Sequence, residues 1–240
     1  MKIAYQPPKR KQPFFSVIKG FFRLFTPKIR VVSTDGKIPE QCLYVANHVN
    51  KMGPFQYELY FPVYTVKWGA HQMLENYKTR RSYLKNTLYI QKNKVPPFWA
   101  GCLATFEAFF SQFFYRGMKF LPTYPDARLA KTIKQSVTVL DDSALLIFPE
   151  NSNDGYHEKM TNFFPGFVMV MDQYRKANGK DIPVRPVYYH KKKRLIVVGE
   201  ACTLGEFPGM KRGQIAEAFK ERVNGLYERI ERGEFDQKRR

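Results

Sequence analysis

Residues 42–54 read CLYVANHVNKMGP, and this segment indicates the fold most clearly. Its first five residues, 42–46, form a short apolar run of the kind that becomes a buried strand. A polar segment follows directly, and Pro54 suits the first turn of a helix. This order predicts that Asn47 and His48 lie at the carboxyl end of a strand, where open α/β sheets bind their ligands.

Strand and helix patterns alternate along the rest of the chain. The predicted strands cover residues 63–68, 118–121, 144–148, 182–189 and 194–198. The predicted helices cover residues 54–60, 70–86, 129–140, 162–177 and 215–230. This alternation predicts an α/β fold with a mostly parallel central sheet flanked by helices.

The N-terminal segment, residues 1–34, contains eight basic residues and no acidic residue. Within it, Phe14, Ile18, Phe21 and Phe25 recur at helical spacing. A basic amphipathic helix is typical of a segment that lies in a membrane interface, and Lys9–Lys11 add charge beside it. Packing of this helix on the core of the domain is the alternative.

A second apolar segment, residues 95–115, contains a single charged residue, Glu107. Pro96 and Pro97 lie at its start, and polar residues interrupt it. We therefore expect a helix that is partly immersed in the membrane or packed on the core, not one that spans the bilayer. The predicted division of the chain is a membrane-associating segment (1–34), an α/β domain (35–210) and a C-terminal amphipathic helix with a charged tail (211–240).

The composition points to an anionic partner. Lys and Arg number 40 against 21 acidic residues, which gives a formal charge of +19. Nucleic acid and an anionic membrane surface both fit this charge. The aromatic residues fall in apolar helices and do not alternate with Lys and Arg on strands, so we expect no nucleic-acid partner. The membrane surface therefore remains the expected partner.

No pattern typical of a bound cofactor or metal is present. The three cysteines lie far apart in the sequence. They show no metal-binding spacing, and no Gly-rich phosphate loop accompanies them. We therefore expect no metal, no cofactor and a reducing, cytoplasmic setting.

Three further short motifs follow the Asn47-His48 pair in order: 117–121, 148–150 and 182–187, which read GMKFL, FPE and IPVRPV. Each is common alone, but their order and spacing are not. With these four blocks, residues 40 to 200 resemble the phospholipid and glycerol acyltransferase superfamily. Its blocks are NHxxxxD, a Gly-initiated strand that ends in Arg, FPEGTRS, and a Pro-containing strand.

The resemblance implies a membrane-associated acyltransferase of phospholipid biosynthesis. The acyl group would pass from acyl-CoA or acyl carrier protein to the hydroxyl of a lysophospholipid or glycerol-phosphate-like acceptor, with His48 as general base. The protein would lie on the cytoplasmic face of the membrane, peripheral or monotopic. The implied catalytic residues are His48, Asn47 and Glu150. The implied substrate-binding residues are Gly117, Pro149, Asn151, Ser152, Asn153, Pro183 and Pro186.

Three positions depart from the pattern of the superfamily. Gly53 stands where the first block has Asp, and Thr123 and Asn153 stand where the second and third blocks have Arg. The imidazole of His48 therefore needs another orienting group, and a phosphate needs other cations. The candidate orienting groups are Asp154, Asp126 and a backbone carbonyl. The candidate cations are Arg116, Lys119 and Arg128.

The same departures favour an alternative function, a catalytically inactive lipid-binding protein at the membrane surface. In the superfamily, the Asp orients the imidazole and stabilises its charged form. Loss of the corresponding acid from a catalytic triad costs about four orders of magnitude in rate. An active enzyme therefore requires a real substitute for it.

Overall fold

The computed structural model describes residues 12–150 and 155–236. Lys9–Lys11, Asn151–Asp154 and the last four residues lie outside this part of the chain. Within it, one sheet has the strand order β1-β7-β6-β2-β5-β3-β4, and every neighbouring pair is parallel except β6 and β7. The strands are β1 (Arg30–Ser33), β2 (Leu43–Ala46), β3 (Thr65–Ala70), β4 (Phe120–Thr123), β5 (Ala144–Ile147), β6 (Val184–His190) and β7 (Leu195–Val198). The predicted mostly parallel α/β fold is confirmed.

Seven α-helices lie in the described residues, together with one π-helical segment. The helices are α1 (Pro13–Phe25), α2 (Gly53–Tyr60), α3 (Tyr77–Tyr83), α4 (Pro97–Gly117), α5 (Leu129–Leu140), α6 (Gly166–Asn178) and α7 (Arg212–Glu231). The π-helical segment is Leu84–Lys92. Single 3₁₀ turns occur at His71–Met73 and Leu204–Glu206.

Two hydrophobic cores cover the two faces of the sheet. Because side chains alternate along a strand, Leu43 and Val45 of β2 pack with α5, α6 and α7, while Tyr44 and Ala46 pack on the opposite face with Tyr57 of α2. All four of these β2 side chains are buried. A fully buried strand is expected where helices cover both faces of a parallel sheet. The short apolar run at 42–46 therefore forms the centre of the molecule.

The structure differs from the sequence-based expectation at residues 70–86 and 30–33. The predicted helix over 70–86 is interrupted, because the Asn76 side chain accepts from the Thr79 amide and starts α3 at Tyr77. The chain then widens into the π-helical segment, which packs against α4. Strand β1 has no predicted counterpart, and it pairs with β7 although it lies within the predicted membrane-associating segment.

A cluster of ion pairs around the buried Glu58 carboxylate connects α1 to the rest of the domain. Glu58 of α2 accepts from Lys19 of α1 at 2.8 Å, from Lys67 of β3 at 2.6 Å and from Lys119 at 3.2 Å. Burial alone raises the pKa of Glu58, but the three ammonium groups outweigh it and lower the pKa to about 2. The backbone carbonyl of Leu59 accepts from the Arg23 guanidinium of α1 beside this cluster.

We expect Glu58→Gln to lower the free energy of unfolding by about 3–5 kcal/mol, because it leaves the buried ammonium groups of Lys67 and Lys119 and the half-buried one of Lys19 without their carboxylate. Glu58 has a folded pKa below its ordinary value of 4.5, so its contribution is present above that pH and is lost as the pH falls toward about 2. Urea denaturation as a function of pH measures both effects. The control is Glu75→Gln, and equal stability of the two variants would contradict this account.

Candidate active site

The register of the sheet brings two predicted site residues together. Strands β2 and β5 are parallel neighbours, with Val45 opposite Ile147, so both end at the same edge of the sheet. His48 follows β2 and Glu150 follows β5. The His48 backbone amide donates to Glu150 Oε2 at 3.1 Å. The two motifs are therefore adjacent in space.

The imidazole of His48 has a defined orientation. Its Nδ1 lies 2.8 Å from the backbone carbonyl oxygen of Asn50. A carbonyl oxygen only accepts, so Nδ1 carries the hydrogen and the lone pair of the neutral ring lies on Nε2. Tyr156 stacks on the ring with centroids 5.2 Å apart, and Phe148 meets it edge-on at 5.3 Å. The ring is thus held on several sides.

Burial sets the protonation of the two side chains. It lowers the pKa of His48 to about 4, and the positive charge of Lys92 acts in the same direction. His48 is therefore neutral at pH 7 with a free lone pair on Nε2, but burial makes it a weaker base than an ordinary histidine. Burial raises the pKa of Glu150, and the hydrogen bond from the His48 amide opposes that rise.

A tight turn places the Asn50 carbonyl beneath the imidazole. Val49 has a φ of 65°, in the left-handed region that a β-branched residue rarely adopts. The Asn50 amide donates to the His48 carbonyl at 2.8 Å, and the Gly53 amide donates to the Asn50 carbonyl at 2.9 Å. The Asn50 side chain accepts from the Met52 amide at 2.8 Å. We refer to residues 48–53 as the His48 turn.

The same turn explains the glycine at position 53. A Cβ on Gly53 would lie 1.8 Å from the carbonyl oxygen of His48, so the backbone leaves no room for any side chain. Of the candidate orienting groups, the structure identifies a backbone carbonyl, that of Asn50. Asp126 instead pairs with Arg128 at 2.7 Å, and Asp154 lies outside the described residues.

His48 lines a mostly apolar cavity of about 460 Å³. The cavity is lined by residues of α1, the His48 turn, α2, β3, α3, the π-helical segment, α4 and β4. Its apolar walls include Phe22, Phe55, Met73, Leu84, Leu88, Leu103, Phe106, Phe110 and Phe114. Its polar lining includes Lys51, Tyr89, Lys92, Glu107 and Tyr156. An imidazole base in the wall of a mostly apolar cavity suits a substrate that carries a hydrocarbon chain.

Asn47 lies behind the site. Its side chain is 2% exposed and is bonded at both ends. Its Nδ2 donates to the Tyr189 carbonyl at 3.1 Å, while its Oδ1 accepts from the Tyr189 amide at 2.8 Å and from the Tyr57 hydroxyl at 3.2 Å. Asn47 therefore joins the end of β2 to β6 and α2, and it positions His48 through the backbone.

The structure places four predicted substrate-binding residues away from the described lining of the cavity. The Pro183 carbonyl accepts from the Leu43 amide, at the end of β2 opposite His48, and Pro186 lies in β6 beside β2. Gly117 allows α4 to approach α1, because a Cβ there would lie 2.4 Å from the Phe15 ring. The Pro149 carbonyl accepts from the Phe164 amide. These four residues therefore have roles in packing or backbone pairing. Asn151, Ser152 and Asn153 lie outside the described residues.

The three candidate phosphate-binding cations either pair with an acid or lie away from the cavity. Lys119 is buried and bonded to Glu58, Arg128 pairs with Asp126, and Arg116 lines a separate groove between α1 and α4. The Thr123 hydroxyl donates to the Gly69 carbonyl at 3.0 Å within the sheet. None of these four is among the described residues that line the cavity.

Several residues of the site carry no signal in the sequence. Tyr156 and Lys92 lie within reach of His48 only through the folded chain, and no motif marks either of them. The sequence does mark Glu107, as the single charge between Lys94 and Arg116. Its place in the cavity, however, depends on how α4 packs.

Comparison with known proteins supports the fold. A scan against models of protein families finds no match, and a search among curated proteins finds none either. Among solved structures, the chain is similar to the 1-acyl-sn-glycerophosphate (LPA) acyltransferase PlsC from Thermotoga maritima. The identity is 15%, the match covers 90% of this chain and 79% of that chain, and the TM-score is 0.50. The chain has an acyltransferase-like fold. At this identity the likeness extends to the fold and not to the substrate.

We expect that Gly53→Asp, which introduces the acid of the NHxxxxD pattern, lowers the free energy of unfolding by about 1–3 kcal/mol. An acid at the start of a helix gains only about 0.3–1 kcal/mol, which does not offset a clash with the His48 carbonyl. Urea denaturation measures the change.

The control is Gly225→Ala in α7, where a Cβ would meet no atom within 4 Å. This control should be stabilising by about 0.5–1 kcal/mol. A Gly53→Asp variant as stable as the wild type would contradict the geometry of the His48 turn.

Proposed function

We propose that this protein transfers an acyl group from a thioester donor to the hydroxyl of a lysophospholipid-like acceptor, with His48 as general base. The observation that carries the proposal is the place of His48. Its ring is neutral, its Nδ1 is bonded to the Asn50 carbonyl, and it lines an apolar cavity with room for a hydrocarbon chain.

The proposed reaction follows from the orientation of the imidazole. Nε2 takes the proton of the acceptor hydroxyl while that oxygen attacks the thioester carbonyl carbon. The tetrahedral intermediate collapses, the carbon–sulfur bond breaks, and the imidazolium returns its proton to the leaving thiolate. The Asn50 carbonyl holds the ring in the required tautomer throughout, which is the orienting role of the acid in related catalytic pairs.

The surface beside the cavity supports action at a membrane. Helices α1 and α4 pack together through Phe14, Phe15 and Phe113. They expose a set of large apolar side chains that we name the aromatic face: Phe14, Val17, Phe21, Leu24, Phe25, Phe98, Trp99, Leu103, Phe106, Phe109, Phe110 and Phe113. A soluble domain rarely exposes so many large apolar groups together, and such surfaces mark binding sites for proteins or membranes.

The cavity opens toward this aromatic face. Leu103, Phe106 and Phe110 line the cavity and are also exposed, Phe106 to 72%. A lipid chain would therefore enter between these side chains directly from the membrane. No helix in residues 12–150 and 155–236 is long and apolar enough to span a bilayer. We propose peripheral or monotopic binding at the cytoplasmic, anionic surface, which suits the charge of +19.

The second candidate function is a lipid-binding protein without catalytic activity. It is favoured by Gly53 and Thr123, which stand where the superfamily has its acid and one of its arginines. Under this alternative, the protein would bind lysophospholipid in the cavity and form no product with acyl-CoA or acyl carrier protein as donor.

We expect His48→Gln to lower the turnover number of acyl transfer by about 10²- to 10⁴-fold, because the general base is lost. The assay uses labelled acyl-CoA and acyl carrier protein donors with a panel of lysophospholipids on vesicles. The control is His71→Gln, since His71 stacks on Tyr124, pairs with Glu75 and is not among the described cavity residues. Equal loss in both variants, or product from His48→Gln at the wild-type rate, would refute the role of His48.

Membrane binding has a separate test. The double variant Phe25→Ser/Phe109→Ser removes two exposed rings of the aromatic face that lie outside the cavity. We expect its affinity for phosphatidylglycerol vesicles to fall by about a hundredfold or more, since each buried Phe contributes about 1.5–3 kcal/mol. Flotation of the protein with the vesicles measures this loss. The control, Phe164→Ser, removes an exposed ring outside α1 and α4 and should bind as the wild type does.

A further inference from the structure

Three polar side chains from three elements meet in the cavity that holds His48. Lys51 comes from the His48 turn, Tyr89 from the π-helical segment and Glu107 from α4. Lys51 Nζ lies 2.5 Å from Glu107 Oε2, and the Tyr89 hydroxyl donates to the same oxygen. Lys51 also donates to the Tyr89 hydroxyl at 3.2 Å. Two donors thus converge on one carboxylate oxygen.

A second cation lies in the same cavity. Lys92 follows Tyr89 on the π-helical segment, and its positive charge acts on both His48 and Glu150. Among the described residues that line the cavity, Lys51 and Lys92 are the cations and Glu107 is the acid. Nine-residue π-helical segments are rare, and π-helical turns often occur at functional sites.

We propose that Lys51 and Lys92 form a binding subsite for a phosphate group of the substrate, and that the Glu107 carboxylate occupies part of this subsite until the substrate arrives. The inference rests on the proposed acyl transfer and names the group by which that site recognises its substrate. Carboxylate and phosphate oxygens accept the same hydrogen bonds from an ammonium group and a phenol. A phosphate can therefore replace Glu107 without any change of donors.

The position of Glu107 supports its role as an internal anion. It is the single charge among the residues between Lys94 and Arg116, on a helix whose neighbouring side chains are large and apolar. A carboxylate in such surroundings is unfavourable unless it is paired, and Lys51 supplies the pair. Its side chain remains 21% exposed, so it can turn outward when a more highly charged phosphate takes Lys51.

A phosphate bound at this subsite would also raise the pKa of His48. The charge of Lys92 helps to lower the pKa of His48. A dianionic phosphate beside Lys92 offsets that charge and makes the imidazole a stronger base. His48 would therefore reach its full basicity only when the substrate is bound.

The phosphate has two possible sources in the proposed reaction, the acceptor headgroup and the nucleotide end of a coenzyme A donor. A lysophosphatidate-like headgroup and the 3′-phosphate of coenzyme A are both phosphate monoesters, and binding measurements with soluble fragments separate them. Isothermal titration calorimetry on the full chain would use sn-glycerol 3-phosphate for the acceptor and adenosine 3′,5′-bisphosphate for the donor. The variants are Lys51→Gln, Lys92→Gln, Lys92→Arg and Glu107→Gln.

We expect Lys51→Gln and Lys92→Gln each to weaken binding of the cognate fragment by about tenfold or more, because each removes a charged hydrogen-bond donor. Lys92→Arg should retain binding. Glu107→Gln should tighten binding by about two- to fivefold, since the competing carboxylate is gone. The control is Lys85→Gln, on the same π-helical segment but outside the described lining of the cavity, and it should bind as the wild type does.

The fragment that shows this pattern identifies the source of the phosphate. The proposal is overturned if both lysine variants bind both fragments as the wild type does. It is also overturned if neither the wild type nor Glu107→Gln binds either fragment. Binding needs no turnover, so His48→Gln should bind normally. If the fragments bind as expected but no acyl product forms, acyl transfer alone is refuted. If acyl product forms but Lys51→Gln and Lys92→Gln bind both fragments as the wild type does, the phosphate subsite alone is refuted.

Discussion

The hydrogen bond between His48 Nδ1 and the Asn50 carbonyl is the interaction on which the rest of the site depends. It forms because Val49 adopts a left-handed φ of 65°, a conformation that costs about 1–3 kcal/mol. The Asn50 side chain and the amides of the His48 turn hold this conformation. Once the chain turns so tightly, position 53 has no room for a side chain, and the carboxylate usual in the superfamily cannot be placed there.

The Asn50 carbonyl replaces only one of the two functions that a carboxylate has beside a catalytic histidine. It fixes the tautomer and the direction of the ring, but it brings no negative charge to stabilise an imidazolium. Burial lowers the pKa of His48 so far that the ring stays neutral well below pH 7, although the hydrogen bond to the Asn50 carbonyl acts in the opposite direction. The proposed phosphate subsite would supply the missing negative charge with the substrate. Orientation would then be built into the fold, while part of the electrostatic stabilisation would come from the bound substrate.

Local patterns made the centre of the fold predictable. The apolar run at 42–46, the polar turn and Pro54 determine a strand, a turn and a helix without help from distant residues. The position of Glu150 beside His48 also follows, because two parallel strands that end at one edge bring their next residues together. The basic amphipathic helix was visible for the same reason, in the spacing of Phe14, Ile18 and Phe21.

The parts of the site that depend on long-range packing were not predictable. Lys92 reaches the cavity through a π-helical segment, whose wider turn is not encoded in a 3.6-residue apolar pattern. The sequence shows a glycine at position 53, where the NHxxxxD pattern has an acid, but it does not show that a backbone carbonyl bonds His48 instead. Gly117, Pro183 and Pro186 match motifs by sequence, yet packing and strand pairing explain them in the structure.

A backbone carbonyl orients a neutral His48 in this structure. Nitrogen NMR of the protein labelled with ¹⁵N-histidine measures this directly, because the two ring nitrogens report the tautomer and their shifts follow the titration. With His48→Gln assigning the resonance, the account predicts hydrogen on Nδ1, a lone pair on Nε2 and a titration midpoint near the pKa of about 4. Hydrogen on Nε2, or a midpoint near the ordinary value of 6.5, would contradict it.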